Sequence, residues 1–209
     1  VDHITLLRGR CLGRIASIEA QFSYPVFVKP ANLGSSVGIT KALNRDELKS
    51  SLELAAKYDR KIIVEPAING REIECGVLGN DNPESSVPGE VVSEDGFYDY
   101  KAKYVTHQSS LLIPASLSEE QTEQVQRLAI EAFRAVEGRG LARVDFFLEK
   151  GTGDILLNEI NSMPGFTTIS MYPKLWAATG LSYTNLFDRL IELAIEFHDE
   201  KKLTRFNLS

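Results

Sequence analysis

The chain has 209 residues, is 43% hydrophobic and 25% charged, and carries a formal net charge of -6. This is ordinary globular usage, enough for one large domain or two small ones, and the acidic balance argues against a nucleic-acid-binding surface, which needs clustered Lys and Arg. Cys11 and Cys75 match neither a disulfide framework nor a zinc spacing, no apolar run is long enough to span a bilayer, and the N-terminus has no signal-peptide pattern, so a cytoplasmic location without membrane contact is expected.

Residues 1–23 show no sustained period and are left without assigned elements. Tyr24 to Pro30 reads as a short strand bounded by prolines, and Ala31 to Gly38 as a loop of small residues. Asn44 caps a predicted helix to about Tyr58, with Glu47 at the capping-box position and Leu48, Leu52, Ala55 and Ala56 on one face. Lys61 to Glu65 and Glu72 to Leu78 read as strands, and Gly79 to Pro88 as polar turns. Val91 to Ala115 is long and irregular, with Tyr98, Tyr100 and Tyr104 inside it. A connection of that length is usually functional or disordered, and its aromatics favour function.

Ser118 opens a helix with Gln121 at the capping-box position and a buried stripe of Val125, Leu128, Ala129, Ala132, Phe133 and Val136. Ala142 to Glu149 and Asp154 to Asn161 read as a hairpin around Gly151-Thr152-Gly153. A last helix runs from about Thr184 to His198, with Leu186, Phe187, Leu190, Ile191, Ala194 and Ile195 inward.

If Lys150 pairs with Asp154 in the hairpin, Asp145 falls opposite Glu159. Arg143, Asp145 and Phe147 then share a face with Glu159 and Asn161, because alternate residues of a strand point the same way. Carboxylates side by side in a sheet repel, and a bound divalent cation removes that penalty. Oxygen donors suit magnesium, and no sulfur or imidazole suggests zinc. The plain alternative is a solvated hairpin with a polar outer face. Phe147 and Leu157 make that face partly apolar, which suggests that it is covered, and charges at covered positions need a partner or a metal. Upstream, Lys29 ends a strand before Gly34-Ser35-Ser36-Val37-Gly38, where backbone amides and hydroxyls could cradle a phosphate beside a lysine charge. A simple turn is an equal reading of that run. Glu65 to Ile68 and Glu72 say little alone.

Together these stretches resemble the ATP-grasp superfamily and, within it, the D-alanine–D-alanine ligases. The resemblance is carried by Val28-Lys29-Pro30, Gly34 to Gly38, Phe97-Tyr98-Asp99-Tyr100 with Lys103-Tyr104, Arg143-Val144-Asp145, and Asn158-Glu159-Ile160-Asn161 with Pro164-Gly165. It implies an α/β (α+β) ATP-grasp fold in which two small sheet-containing subdomains sandwich ATP. Residues 24–66 would be the central part, 67–209 the catalytic part, and 93–115 a lid that excludes water. Lys29, Ser36 and Lys103 would meet the phosphates of ATP, Glu65, Ile68 and Phe97 the adenine, and Glu72 the ribose. Asp145, Glu159 and Asn161 would hold two magnesium or manganese ions, with Glu159 bridging. Arg143 and the Gly165 amide would stabilise the developing oxyanion, and Tyr98, Ser170 and Met171 would contact D-alanine. Tyr104, bonded to Ser35, is typical of relatives that make the dipeptide rather than the D-lactate ester.

The resemblance further implies a homodimer acting in peptidoglycan synthesis. The family's N-terminal domain has no counterpart here, and residues 1–23 do not resemble the family's segment before Tyr24, so a fragment that is inactive alone is expected. Another carboxylate–amine ligase and a non-catalytic nucleotide-binding module are the competing readings.

Overall fold

The computed structural model describes residues 1–34, 36–93 and 109–204. They fall into two units, Val1–Asn69 together with Ser93 and Ser109, and Gly70–Val92 together with residues 110–204.

The first unit holds β1 (Ile4–Leu7), two 3-10 turns at Arg8–Arg10 and Leu12–Arg14, α1 (Ile15–Gln21), β2 (Val26–Pro30), β3 (Thr40–Ala42), α2 (Arg45–Tyr58) and β4 (Lys61–Pro66). The strands form an antiparallel sheet in the order β1-β4-β2-β3, with Val28 opposite Val64. Val26, Val28, Ile62 and Val64 pack against Ile18 of α1 and against Leu48, Leu52 and Ala55 of α2. The α2 start is capped as the sequence predicts, with Asn44 accepting from the Glu47 amide at 3.0 Å. The Glu47 carboxylate reaches back to the Leu43 amide at 2.8 Å, one residue earlier than in a regular capping box.

Residues 1–23 are therefore corrected from a segment without elements to a strand, two 3-10 turns and a helix. Their brevity explains the missing signal: β1 buries only Leu6, and α1 has seven residues of which only Ile18 is buried. The short β3 was also not anticipated.

The second unit holds β5 (Gly70–Gly79), β6 (Glu84–Ser85), β7 (Gly89–Ser93), β8 (Ser109–Leu112), α3 (Glu119–Ala135), β9 (Gly140–Glu149), β10 (Ile155–Asn161), α4 (Met171–Ala178) and α5 (Tyr183–Lys202). Its sheet runs β10-β9-β5-β7-β8, with β6 paired to β5. The stretch read as irregular from Val91 to Ala115 thus begins and ends in strands. On one face of this sheet Ile73, Cys75, Val77, Val144 and Phe146 pack under Val125, Ala129 and Phe133 of α3. The Ser118–Gln121 capping box is present. Val136, expected in the stripe, is the C-cap of α3 and is 58% exposed.

The far end of the opposite face is covered by α4 and α5 through Leu78, Tyr172, Trp176, Leu186 and Leu193. In α5 the inward stripe is Leu186, Leu190 and Leu193. Phe187, Ile191, Ala194 and Ile195, expected inward, are exposed. Two apolar stripes lie side by side on this helix, and periodicity alone cannot choose between them. The helix α4 escaped notice because Met171, Tyr172, Pro173, Leu175 and Trp176 are all buried, leaving little amphipathic pattern. No described helix is long and apolar enough to cross a membrane.

Candidate functional site

The β9–β10 hairpin brings the predicted residues together by a different register from the expected one. Glu149 donates its amide to the Asp154 carbonyl at 2.9 Å, and Ile155, Leu156 and Leu157 pair with Leu148, Phe147 and Phe146. The loop is thus one residue longer than a Lys150–Asp154 closure allows. Continued unbroken, this ladder would set Asn158 opposite Asp145 and turn Glu159 toward the apolar face. A bulge between Leu157 and Glu159 absorbs the extra residue, so Glu159 pairs with Asp145 and Asn161 with Arg143. Leu156, not Leu157, is the residue beside Phe147, and Leu157 is 41% exposed.

On the other side of β9, β5 sets Glu74 opposite Asp145, Glu72 opposite Phe147 and Gly76 opposite Arg143. Glu159, Asp145 and Glu74 therefore form one row of carboxylates across three strands, with Asn161 and Arg143 in the next row. Like charges directly opposite in a sheet are unfavourable, and Arg143 offsets them. Its Nε and Nη2 donate to Asp145 Oδ1 and Oδ2, both at 2.7 Å. Glu74 Oε2 lies 2.9 Å from the same Nε. Asp145 and Glu74 are 8% and 7% exposed. Burial works against the charged guanidinium, but the Asp145 carboxylate and its hydrogen bonds, then Glu74 and Glu159, outweigh it and hold the Arg143 pKa above the ordinary arginine range.

Asn161 closes the group. Its Nδ2 donates to Asp145 Oδ2 at 2.9 Å and to Glu159 Oε1 at 3.2 Å. One amide group bridging both carboxylates shows that the three side chains converge on a common point. Turned over, the same carboxamide presents Oδ1 there instead. The donor set then consists wholly of oxygen, which fits a hard divalent cation such as magnesium. Glu74 is not part of that point: among the described residues no three His, Cys, Asp or Glu are grouped to hold a metal ion. Of the two compensations the sequence left open at Asp145, a partner or a metal, Arg143 is the partner.

Pro164 is buried and Gly165 exposed in the loop after β10. A Cβ on Gly165 would lie 2.9 Å from Ser170 Oγ, so the glycine admits that hydroxyl closely. Ser170 accepts from the Thr167 amide at 3.1 Å, lies 2.9 Å from the Thr167 hydroxyl, and is the N-cap residue of α4. Met171 is 6% exposed and packs beside Gly89, where a Cβ would stand 3.0 Å from its Sδ. Gly76 likewise lies under Trp176 and Tyr172. The two glycines let α4 sit close on the sheet beside the carboxylate row.

In the first unit, Lys29 Nζ and Glu65 Oε2 are 2.5 Å apart, at side-chain exposures of 14% and 10%. The β2–β4 register produces this pair, with Phe27 opposite Glu65 and Lys29 two residues on along the same face. Such a pair holds a lysine charge in place. Ile68 is half-buried. Ser36 and Gly38 have φ of 58° and 76°, and the Val37 amide donates to the Gly34 carbonyl at 3.3 Å. Ser35, Phe97, Tyr98, Lys103 and Tyr104 lie outside the described residues. Glu74 is the residue that sequence reasoning missed. Its signal was the alternation Glu72, Glu74, Gly76, which needs the β5–β9 pairing to acquire meaning.

Residues 5–192 match the family model described as D-ala D-ala ligase C-terminus. That match starts within residues 1–23, so the expectation that this segment does not resemble the family is corrected from residue 5 onward. The D-alanine–D-alanine ligase of Acetivibrio thermocellus is 55% identical over 192 residues, covering 92% of this chain and 51% of the relative. That of Solibacter usitatus is 50% identical over 206 residues, covering 99% and 63%. Among solved structures, the ligase of Coxiella burnetii superposes with a TM-score of 0.83 at 41% identity, covering 97% of this chain and 53% of the other. The VanG D-Ala:D-Ser ligase of Enterococcus faecalis gives 0.82 at 38%, covering 92% and 56%. The chain spans about half the length of most of these relatives.

Proposed function

The chain belongs to the D-alanine–D-alanine ligase family, with its ATP-grasp fold, and on that premise we propose that it is the nucleotide- and metal-binding part of an enzyme joining two D-alanines at the expense of ATP. The observation that carries this reading is the convergence of Asp145, Glu159 and Asn161 beside Arg143. Asp145, Glu159 and Asn161 would hold magnesium or manganese, as two ions with Glu159 shared. Bound there, the metal would neutralise charge on the transferring phosphoryl group.

In the proposed reaction a carboxylate oxygen of the first D-alanine attacks the γ-phosphorus of ATP. The bond to ADP breaks and an acyl phosphate forms. The neutral amine of the second D-alanine then attacks the acyl carbon, the nitrogen gives up one proton, and phosphate leaves with the peptide bond made. Arg143 and the Gly165 N–H donate to the oxyanion that develops at that carbon, a contribution of about 3 kcal/mol per well-placed donor. Lys29, with Ser36 and Lys103, meets phosphate oxygens. Glu65 holds Lys29 and, with Ile68 and Phe97, borders the adenine, while Glu72 accepts from the ribose hydroxyls. Tyr98, Ser170 and Met171 shape the D-alanine subsites, Ser170 by organising the loop at Gly165. Tyr104 with Ser35 favours D-alanine as the second substrate. A homodimer acting in the cytoplasm for peptidoglycan synthesis completes the reading and rests on the family resemblance.

The test is to graft the chain in place of the matching half of the Acetivibrio thermocellus ligase. The graft is expected to form D-alanyl-D-alanine with ATP and magnesium, and Glu159→Gln in the graft to abolish it. A folded graft that releases no phosphate in the presence of D-alanine contradicts the reading.

A further inference from the structure

Asp145 has two claims on the same oxygens. Arg143 takes Oδ1 and Oδ2 with Nε and Nη2, each at 2.7 Å, while the proposed function gives Asp145 to a divalent cation. The guanidinium fork takes one lone pair of each oxygen and the Asn161 amide takes another of Oδ2, so a metal reaching Asp145 competes with Arg143 for the carboxylate's charge and orientation. As a metal draws on Asp145 the Arg143 contact weakens while the guanidinium stays charged and half-buried, which is costly unless another anion holds it.

Glu74 is placed to do so. It stands opposite Asp145 in the β5–β9 register, is 7% exposed, and puts Oε2 2.9 Å from Arg143 Nε. The single Nε–H already points at Asp145, so this contact is a charge contact rather than a second hydrogen bond. A small turn of the guanidinium converts it into one. The charges also suit a divalent ion: the carboxylates of Glu74, Asp145 and Glu159 with the one guanidinium leave a net charge of about minus two.

We propose that Glu74 is a positioning residue that receives Arg143 when the metal engages Asp145, so that one arginine serves as the counter-ion of the empty site and as a released donor in the loaded one. Glu74 touches neither metal nor substrate and acts through Arg143. The proposal rests on the metal reading above.

The experiment titrates the folded chain with manganese and reads free ion by electron paramagnetic resonance. Wild type, Glu74→Gln, Arg143→Met and the double variant are compared, with folding checked by circular dichroism. Glu74→Gln is expected to weaken manganese binding about tenfold, within the coupling range of groups in one ion network. In the Arg143→Met background the same change is expected to do nothing. Equal weakening in both backgrounds means a direct effect of charge and overturns the proposal, as does wild-type affinity in Glu74→Gln. The Arg143 Nε–H resonance in wild type and Glu74→Gln gives a second readout, useful where Arg143→Met does not fold. It should shift with magnesium in wild type and stay still in Glu74→Gln, and a shift in both overturns the proposal. Wild type that binds no manganese defeats the metal reading itself, a result distinct from the others.

Discussion

Gly38 shows how one residue constrains the phosphate-loop candidate. Its φ is 76°, and a Cβ there would stand 2.7 Å from Tyr58 Cδ2 and 3.0 Å from Pro30 Cγ. Tyr58 is 49% exposed and can swing aside, whereas Pro30 belongs to β2 and cannot. The left-handed backbone alone costs an L-residue about 1–2 kcal/mol. Gly38→Ala is therefore expected to lower the unfolding free energy by about that amount in urea melts. Gly34→Ala is the control: nothing lies within 4 Å of its Cβ position, so a shift below about 0.5 kcal/mol is expected. Equal effects at both positions would show that the loop is not shaped as described. At the same scale, Lys29 and Glu65 were each named from the sequence, but not as partners. Their 2.5 Å contact follows from pairing between β2 and β4 that no local pattern announces.

Among the elements, α3 and the β9–β10 hairpin divide the labour. The helix α3 supports the sheet from behind through Val125, Ala129 and Phe133. Its start depends on Ser118, which accepts from the Gln121 amide at 3.1 Å while Gln121 returns a bond to the Ser118 amide. Ser118→Ala is expected to lower unfolding free energy by about 1 kcal/mol and to leave nucleotide affinity unchanged, by urea melts and titration. Lost affinity would mean that the site responds to the back of the sheet. This cap was fully legible because capping is local chemistry. The hairpin was legible only in outcome. Asp145 does face Glu159, yet through a longer loop and a bulge at Leu157/Glu159 that compensate each other. Sequence shows which side chains want to share a face, but not where the chain spends an extra residue to arrange it. The stripe of α5 failed for a related reason: Leu186 and Phe187 head two equally apolar rows, and packing on Leu78 and Trp176 selects the first.

At the scale of the whole molecule, two sheet-bearing units carry separate parts of the proposed chemistry. The first presents the Lys29–Glu65 pair and the Gly34 to Gly38 loop, and the second presents the row of Glu74, Asp145 and Glu159 with Arg143 and Asn161. A chain with net charge -6 thus concentrates its useful charges in a few paired, buried positions. Overall acidity argues against a nucleic-acid surface but could not show that pairing. The central claim is that Asp145, Glu159 and Asn161 form a magnesium–nucleotide site. Calorimetric titration of the chain with ATP, with and without magnesium, tests it most directly. Magnesium is expected to tighten ATP binding in wild type and to lose that effect in Glu159→Gln. ATP binding that ignores magnesium, or a Glu159→Gln chain that responds to magnesium as wild type does, would contradict the account.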